Sequence, residues 1–321
     1  MTMTEIAKLA GVSVSTVSKA FSGSIDISEA MRNKIFDIAK QNNCYSKYVK
    51  TFKYKYVVAV ISPEFQSGCY TQQLTYFSEE LKKRNALMLV AEDNFNREER
   101  KDLVSYFSFI SKVDGIIIYG NIDAEYEYKT PIIAIGKTNL FNSVQMSYEN
   151  ALCDAVEHLK ENGHTDIAYI GEPLTVYYLE CFKNIMNKYN MPIKDEYVIN
   201  TVDTRFEFAG YEAMNELLSL EKPPTAVITA YDYIAFGAIK SIKEHGLRIP
   251  EDISIIGRDD VKECDYLDIP LTTITHYSKD LCEIIISELF DKIENKTGKK
   301  TKTIKVSAEF LKRSTVGKSP R

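Results

Sequence analysis

The first twenty residues alternate apolar and polar positions with the period of a helix. The apolar positions recur three or four residues apart in two short runs, Ile6, Leu9 and Ala10 and then Val17, Ala20 and Phe21. Thr2 and Glu5 have the spacing of a capping box, Gly11 interrupts the pattern, and Ser13 can cap the helix that follows. The spacing therefore predicts two short helices joined by a glycine turn. Met31, Ile35 and Ile38 predict a third helix that closes a small core.

Longer apolar runs begin at residue 57 and alternate with amphipathic stretches. The runs are apolar at every position and predict strands that are covered on both faces: Val57–Ile61, Leu87–Val90, Gly115–Tyr119, Ile132–Ile135, Ile167–Ile170, Ala226–Ile228 and Ile253–Ile256. The stretches between them predict helices: Leu74–Arg84, Ala151–Asn162, Tyr211–Leu220 and Ile234–His245. This alternation is typical of a doubly wound parallel sheet, in which ligands bind at the carboxyl ends of the strands.

The second predicted helix leaves small polar side chains on its outer face: Val14, Ser15, Thr16, Ser18 and Lys19. Hydroxyl groups suit phosphate oxygens and base edges, and a cation suits guanine or phosphate. An ordinary helical hairpin with a solvated face would also fit these residues. The run from Ile6 to Lys19, IAKLAGVSVSTVSK, however, closely resembles the helix-turn-helix signature of the lactose/galactose repressor (LacI/GalR) family of bacterial transcription regulators. The resemblance implies that Ser18 contacts phosphate and Lys19 reads a base.

The resemblance extends to the body of the chain. The most specific segment runs from Gly246 to Gly257, GLRIPEDISIIG, and is followed by Asp259-Asp260 and by the run Leu271–Ile274. It implies a small all-α helix-turn-helix head on an α/β body of the periplasmic-binding-protein type, with two Rossmann-like lobes built on parallel sheets. We expect a head over residues 1–46, a hinge over 47–56 and an effector-binding and dimerisation body over 57–321. The first lobe is expected over about 57–159 plus 277–300, and the second over about 160–275 plus 301–321.

The same comparison with the family implies the residues that contact the effector. They stand in the segments after successive strands: Cys69, Tyr70, Lys137, Tyr178, Tyr231, Asp232, Asp259 and His276. Tyr178 stands where relatives commonly have an arginine that grips sugar hydroxyls. Tyrosine faces stack on sugar rings, whereas the loss of arginine weakens recognition of carboxylates and phosphates. A sugar or another polyhydroxylated compound is therefore expected, although each tyrosine singly could equally be a core residue.

Charge supports the division into head and body. Residues 1–55 contain nine Lys and Arg against four Asp and Glu, a net +5, which leaves 31 against 41, a net −10, for the rest. A basic head is attracted to the phosphate backbone, whereas the body is not. In the hinge, Lys47 and Lys50 are candidate DNA contacts. Relatives have a Pro-Asn-x-x-Ala-Arg-x-Leu pattern here, and this chain replaces it with a shorter aromatic and β-branched run, a poor helix former.

Two other classes of protein compete with a regulator. A solute-binding protein would share the body but would not need the head. An enzyme is disfavoured because no phosphate-binding glycine motif or nucleophile elbow follows a strand. The six cysteines have no metal-binding spacing, no cofactor is indicated, and no segment is apolar enough to span a membrane. We expect a cytoplasmic homodimer that binds an inverted-repeat operator and acts as a repressor controlled by a small molecule. The sequence leaves open whether that molecule is an inducer or a corepressor, and whether the protein activates transcription instead.

Overall fold

The computed structural model describes residues 1–22, 24, 26–48, 54–123, 127–275, 279–294 and 301–321. Contacts between Cα atoms divide the chain into two units. One consists of residues 1–56 with 85–87, and the other of residues 57–84 with 88–321. Within the described ranges, no helix is long and apolar enough to cross a membrane.

The first unit is built from helices: α1 (Met3–Ala10), α2 (Val14–Phe21), α3 (Glu29–Gln41) and α4 (Tyr45–Tyr48). The predicted caps are confirmed. Thr2 and Glu5 form a capping box, and Gly11 ends α1 in the left-handed region with φ 71°. The Ser13 hydroxyl accepts a hydrogen bond from the backbone N–H of Thr16 at 3.0 Å, so it caps α2 as expected.

Two residues of this unit differ from the sequence interpretation. Leu9 was expected on the apolar face of α1, but it is 58% exposed, because the buried face of α1 is formed by Ile6, Ala7 and Ala10. Tyr48 was assigned to the hinge, but its ring packs 5.7 Å from that of Phe21, and its hydroxyl donates to the carbonyl oxygen of Met1 at 2.7 Å. The packed head therefore continues to Tyr48.

The body contains two larger sheets. Its strands are β1 (Tyr56–Ser62), β2 (Ala86–Glu92), β3 (Gly115–Tyr119), β4 (Ile132–Ile135), β5 (Asn142–Ser147), β6 (Ile167–Gly171), β7 (Val198–Asn200), β8 (Ala226–Thr229), β9 (Ser254–Ile256), β10 (Thr273–Thr275), β11 (Thr303–Ser307) and β12 (Glu309–Leu311). The order β11-β5-β4-β3-β1-β2 forms the sheet of the first lobe, and β7-β6-β8-β9 that of the second. The pairs β1–β3, β3–β4, β4–β5, β5–β11, β6–β7, β6–β8 and β8–β9 are parallel, whereas β10 and β12 pair antiparallel. The expected α/β body with two Rossmann-like lobes is confirmed.

Helices cover these sheets: α5 (Gly68–Lys83), α6 (Arg97–Ser105), α7 (Glu149–Glu161), α8 (Val176–Lys188), α9 (Phe206–Leu218), α10 (Asp232–Glu244) and α11 (Lys279–Ile293). Short π and 3-10 turns follow α6, at Tyr106–Ser111, and precede α8, at Pro173–Thr175. Two further 3-10 turns lie at Asp195–Tyr197 and Lys262–Asp265.

The lobes divide at different residues from those expected. Helix α7 was placed in the first lobe, but its apolar residues belong to the core of the second. Residues 301–321 were placed in the second lobe, but β11 at the start of this range pairs with β5 in the first sheet, whereas Thr315 and Ser319 bond to Ile255 and Asn162 of the second lobe. Strand β2 was expected to be covered on both faces, yet it lies at the edge of the sheet and most of its residues are half-buried.

Candidate functional site

The outer face of α2 presents the residues predicted to contact DNA. Val17, Ala20 and Phe21 are buried against the other helices, which turns the opposite side of α2 outward. Val14, Ser15, Ser18 and Lys19 are exposed there, and Thr16 is half-buried. The Lys19 ammonium lies 3.3 Å from the Asp26 carboxylate, an exposed pair that DNA phosphates can compete for. Lys47 is also exposed, whereas Lys50 lies outside the described residues.

A cavity of about 230 Å³ lies between the two lobes of the body. Its walls come from segments that follow strands in both lobes: Glu64, Ser67, Cys69, Tyr70, Phe95, Tyr148, Glu172, Leu174, Thr175, Tyr177, Tyr178, Arg205, Phe206, Tyr231, Arg258 and Asp259. Five of the eight predicted effector residues are in this set: Cys69, Tyr70, Tyr178, Tyr231 and Asp259. The carboxyl ends of parallel strands meet at this edge, which brings these residues of separate strands together.

An ion triad crosses the cavity. The Arg205 guanidinium contacts Glu64 of the first lobe through Nη1 to Oε2 at 2.8 Å and through Nη2 to Oε1 at 3.3 Å. Its Nε donates to Oε2 of Glu172, on the second lobe, at 2.9 Å. Both carboxylates are buried, so the arginine compensates two charges that would otherwise be costly to bury.

Arg258 is held in a different way. Its guanidinium lies 4.7 Å from the ring centre of Tyr178 and 5.2 Å from that of Tyr148. Its Nε lies 3.4 Å from Oδ1 of the adjacent Asp259. Burial raises the pKa of Asp259 to about 6, although Arg258 and a hydrogen bond from Cys69 oppose the rise.

Asp232 does not line the cavity, although the sequence predicted an effector contact. It is fully buried at the start of α10. Its Oδ2 accepts from the backbone N–H of Val261 at 3.0 Å, and its Oδ1 accepts from the Thr273 hydroxyl at 2.6 Å. Burial, and then the charge of Asp259, raise the pKa of Asp232 to about 7. Both carboxylate oxygens of Asp232 therefore already accept hydrogen bonds from the protein. Asp232 holds the loop that carries Arg258 and Asp259 and does not itself face the cavity.

The two remaining predicted contacts are elsewhere. Lys137 lines a second, larger cavity of about 780 Å³ that adjoins the first and shares Tyr70 with it. His276 lies outside the described residues.

The sequence interpretation missed the triad. Glu64, Glu172 and Arg205 follow β1, β6 and β7, the same kind of position from which the tyrosines were chosen. The signal was therefore present, but charged residues after strands are common in solvated loops. Only the fold shows that these three converge.

Family models match both parts of the chain. Residues 2–46 match the model for bacterial regulatory proteins of the lacI family, and residues 156–316 match that for a periplasmic binding protein-like domain. The chain is 30% identical to the HTH-type transcriptional repressor PurR of Mannheimia succiniciproducens, with 99% of each chain covered.

Solved structures share the fold. The lac repressor dimer bound to operator and the anti-inducer ONPF has a TM-score of 0.73 at 22% identity, with 99% of each chain covered. A LacI family regulator from Enterococcus faecium with bound ribose has a TM-score of 0.70 at 24% identity, covering 81% of this chain and 98% of that one. Together with the exposed face of α2, the family matches show that this chain belongs to the lacI family of bacterial regulatory proteins and is a DNA-binding transcriptional regulator.

Proposed function

We propose that this regulator is a homodimeric repressor whose binding to an inverted-repeat operator is controlled by a small hydroxylated ring compound, a sugar or sugar derivative, held between the lobes. The observation that carries this proposal is the cavity of about 230 Å³, whose charged groups are paired with one another and whose walls are aromatic. A pocket for drug-sized ligands has roughly 300–1,000 Å³, so this cavity suits a single ring.

The chemistry of the walls favours hydroxyl groups. Arg205 directs three nitrogens to Glu64 and Glu172, and Arg258 is stacked between tyrosines. Because the charges of Arg205 and Arg258 are already balanced by protein groups, the part of the ligand that lies in this cavity does not have to be charged. Carboxylate oxygens can accept from sugar hydroxyls, and aromatic faces pack on the apolar faces of a sugar ring. The regulator from Enterococcus faecium with bound ribose supports this class of ligand.

Control of DNA binding follows from the links between the lobes. The Glu64–Arg205 pair joins the two lobes across the cavity. A ligand that binds one arrangement of the lobes more tightly than another shifts the population towards it. In a dimer that shift changes the spacing of two heads, which together read two half-sites. The PurR relative, named as a repressor, favours repression over activation.

A pair of tyrosine variants tests the proposal. Tyr177 lines the cavity and is 66% exposed, so Tyr177→Ala removes one lining side chain and leaves no void in the hydrophobic core. Operator DNA is first selected from random sequences with the full chain, and its Kd is measured by fluorescence anisotropy with a panel of sugars and sugar derivatives. We expect one compound to change the Kd, and we expect Tyr177→Ala to raise its half-effective concentration roughly threefold to tenfold.

The matched control is Tyr266→Ala, which removes a similarly exposed tyrosine of the second lobe outside the cavity. Operator affinity without ligand should be unchanged in both variants. An operator Kd that no compound in the panel alters would contradict control by a sugar, and an equal effect of both variants would place the ligand elsewhere.

A further inference from the structure

The larger cavity beside the proposed effector site has a distinct charge. It is lined by Arg100, Lys137 and Lys305, and no carboxylate is among its described lining residues. We propose that this cavity binds a phosphomonoester carried by the same ligand, so that the effector is a sugar phosphate. This inference rests on the proposed function. The body as a whole carries 31 basic against 41 acidic residues beyond residue 55, so a cationic wall runs against its overall charge.

One of the three cations, Arg100, is already engaged by the protein. Arg100 donates through Nε to Oδ2 of the buried Asp93 at 2.5 Å and through Nη1 to the carbonyl oxygen of Asn121 at 3.1 Å. Lys137 and Lys305, by contrast, have no side-chain hydrogen bond or ion pair to any residue in the described part of the chain. Among the described residues, the cavity therefore offers two ammonium groups that no carboxylate neutralises.

The sheet brings these two lysines to the same place. Lys137 follows β4, and Lys305 lies in β11, with β5 between them. Neighbouring strands are about 4.8 Å apart, so the two backbones are separated by roughly 10 Å, a gap that two flexible lysine side chains can close around one anion. Gln145 of β5 pairs in register with Lys305 and also lines the cavity, so its amide can add a donor between them.

The two cavities adjoin and share aromatic walls. Tyr70, Phe95, Tyr148 and Tyr177 line both. A ring held among these side chains can therefore direct a substituent to the lysines. A phosphomonoester carries about −1.5 to −2 charge at pH 7, which matches two ammonium groups, whereas a carboxylate would neutralise one.

The test compares sugars with their own phosphate esters on the full chain. The probes are ribose and ribose 5-phosphate, glucose and glucose 6-phosphate, with gluconate as a carboxylate and inorganic phosphate as a competitor. Calorimetry gives each Kd. We expect at least one ester to bind about tenfold more tightly than its parent sugar and to be displaced by inorganic phosphate. Lys137→Gln and Lys305→Gln should each remove most of that difference and leave the Kd of the parent sugar unchanged.

Lys129→Gln is the matched control, because Lys129 is an exposed lysine of the same lobe that lines neither cavity. Lys305→Arg, which keeps the charge, should retain tight binding. Equal affinity for an ester and its parent sugar would overturn the anion subsite and leave the proposed function standing. The same conclusion would follow if Lys129→Gln weakened ester binding as much as the two cavity variants do. Gluconate binding as tightly as the esters would overturn the assignment to phosphate. If no ester binds, the subsite is overturned, and the operator measurement decides the proposed function separately.

Discussion

At the scale of single residues, Asp232 supports the effector site from outside it. Its two carboxylate oxygens accept from Val261 and Thr273, and its own backbone N–H donates to the carbonyl oxygen of Arg258 at 2.8 Å. A Cβ at Gly257 would overlap its Oδ1, so the loop passes close against this side chain. Asp232 is therefore a positioning residue for Arg258 and Asp259.

We expect Asp232→Ala to lower the free energy of unfolding by about 1–3 kcal/mol, because two buried donors lose their acceptor. Urea unfolding followed by circular dichroism measures this change. Asp268→Ala is the control, since Asp268 forms an exposed pair with Lys243, and its loss should change the free energy by less than about 0.5 kcal/mol. Wild-type stability in Asp232→Ala would show that the loop does not depend on this carboxylate.

The roles of single residues were the part least accessible to sequence. Val261 and Thr273 lie 29 and 41 positions after Asp232 along the chain, and nothing in this spacing shows that the three residues meet. The same holds for Arg205, whose partner Glu64 is 141 residues away. Strand ends predict which residues gather at an edge, but not which of them bond to one another and which are left for a ligand.

At the scale of elements, α9 and α10 make the closest helix pair of the second lobe. A Cβ at Gly237 would overlap the backbone carbonyl oxygen of Glu207, and one at Gly210 would overlap that of Ile234. The helices therefore approach backbone to backbone, which only residues without a Cβ permit. This contact fixes α10, whose first residue is Asp232, against the α9 helix that begins beside Arg205.

We expect Gly237→Ala to destabilise the body by more than about 3 kcal/mol or to prevent its folding, because backbone atoms must separate. The comparison is Gly246→Ala, where φ is 72° and nothing lies within 4 Å of the new Cβ. That change should cost only about 1 kcal/mol of left-handed backbone strain. Thermal unfolding of both variants measures the difference. Equal transition temperatures would mean that α9 and α10 can repack around an added methyl group.

Elements were predictable where burial was complete. The fully apolar runs at Gly115–Tyr119 and Ile132–Ile135 are strands with the predicted bounds. Strand β11 was missed because its residues alternate between exposed and half-buried, so it has no continuous apolar run. Such a strand takes its place from pairing with β5, a long-range contact that local periodicity does not contain.

At the scale of the whole molecule, the connection between DNA-binding head and effector-binding body is short. Tyr48 packs in the head core and β1 begins at Tyr56, so residues 49–55 are the remaining connection. Four lysines lie in or beside it, Lys47, Lys50, Lys53 and Lys55. The family pattern that this region resembles has a leucine here, an apolar side chain of the kind that can wedge into a base step of the minor groove and kink the DNA, and this sequence lacks that leucine.

We therefore predict that this regulator bends its operator less than a typical relative and relies on lysine–phosphate contacts for affinity. Circular-permutation gel shifts measure the bend, and the slope of log K against log salt counts the phosphate contacts, at about 0.9 for each phosphate neutralised. A small bend and a steep slope that falls by about one with Lys47→Gln are expected. Phe52 and Tyr54 offer the competing mechanism, in which an aromatic ring replaces leucine as the wedge. A strong central kink that disappears in Phe52→Ala or Tyr54→Ala would establish that wedge and refute the prediction, because phosphate contacts alone do not unstack a base step.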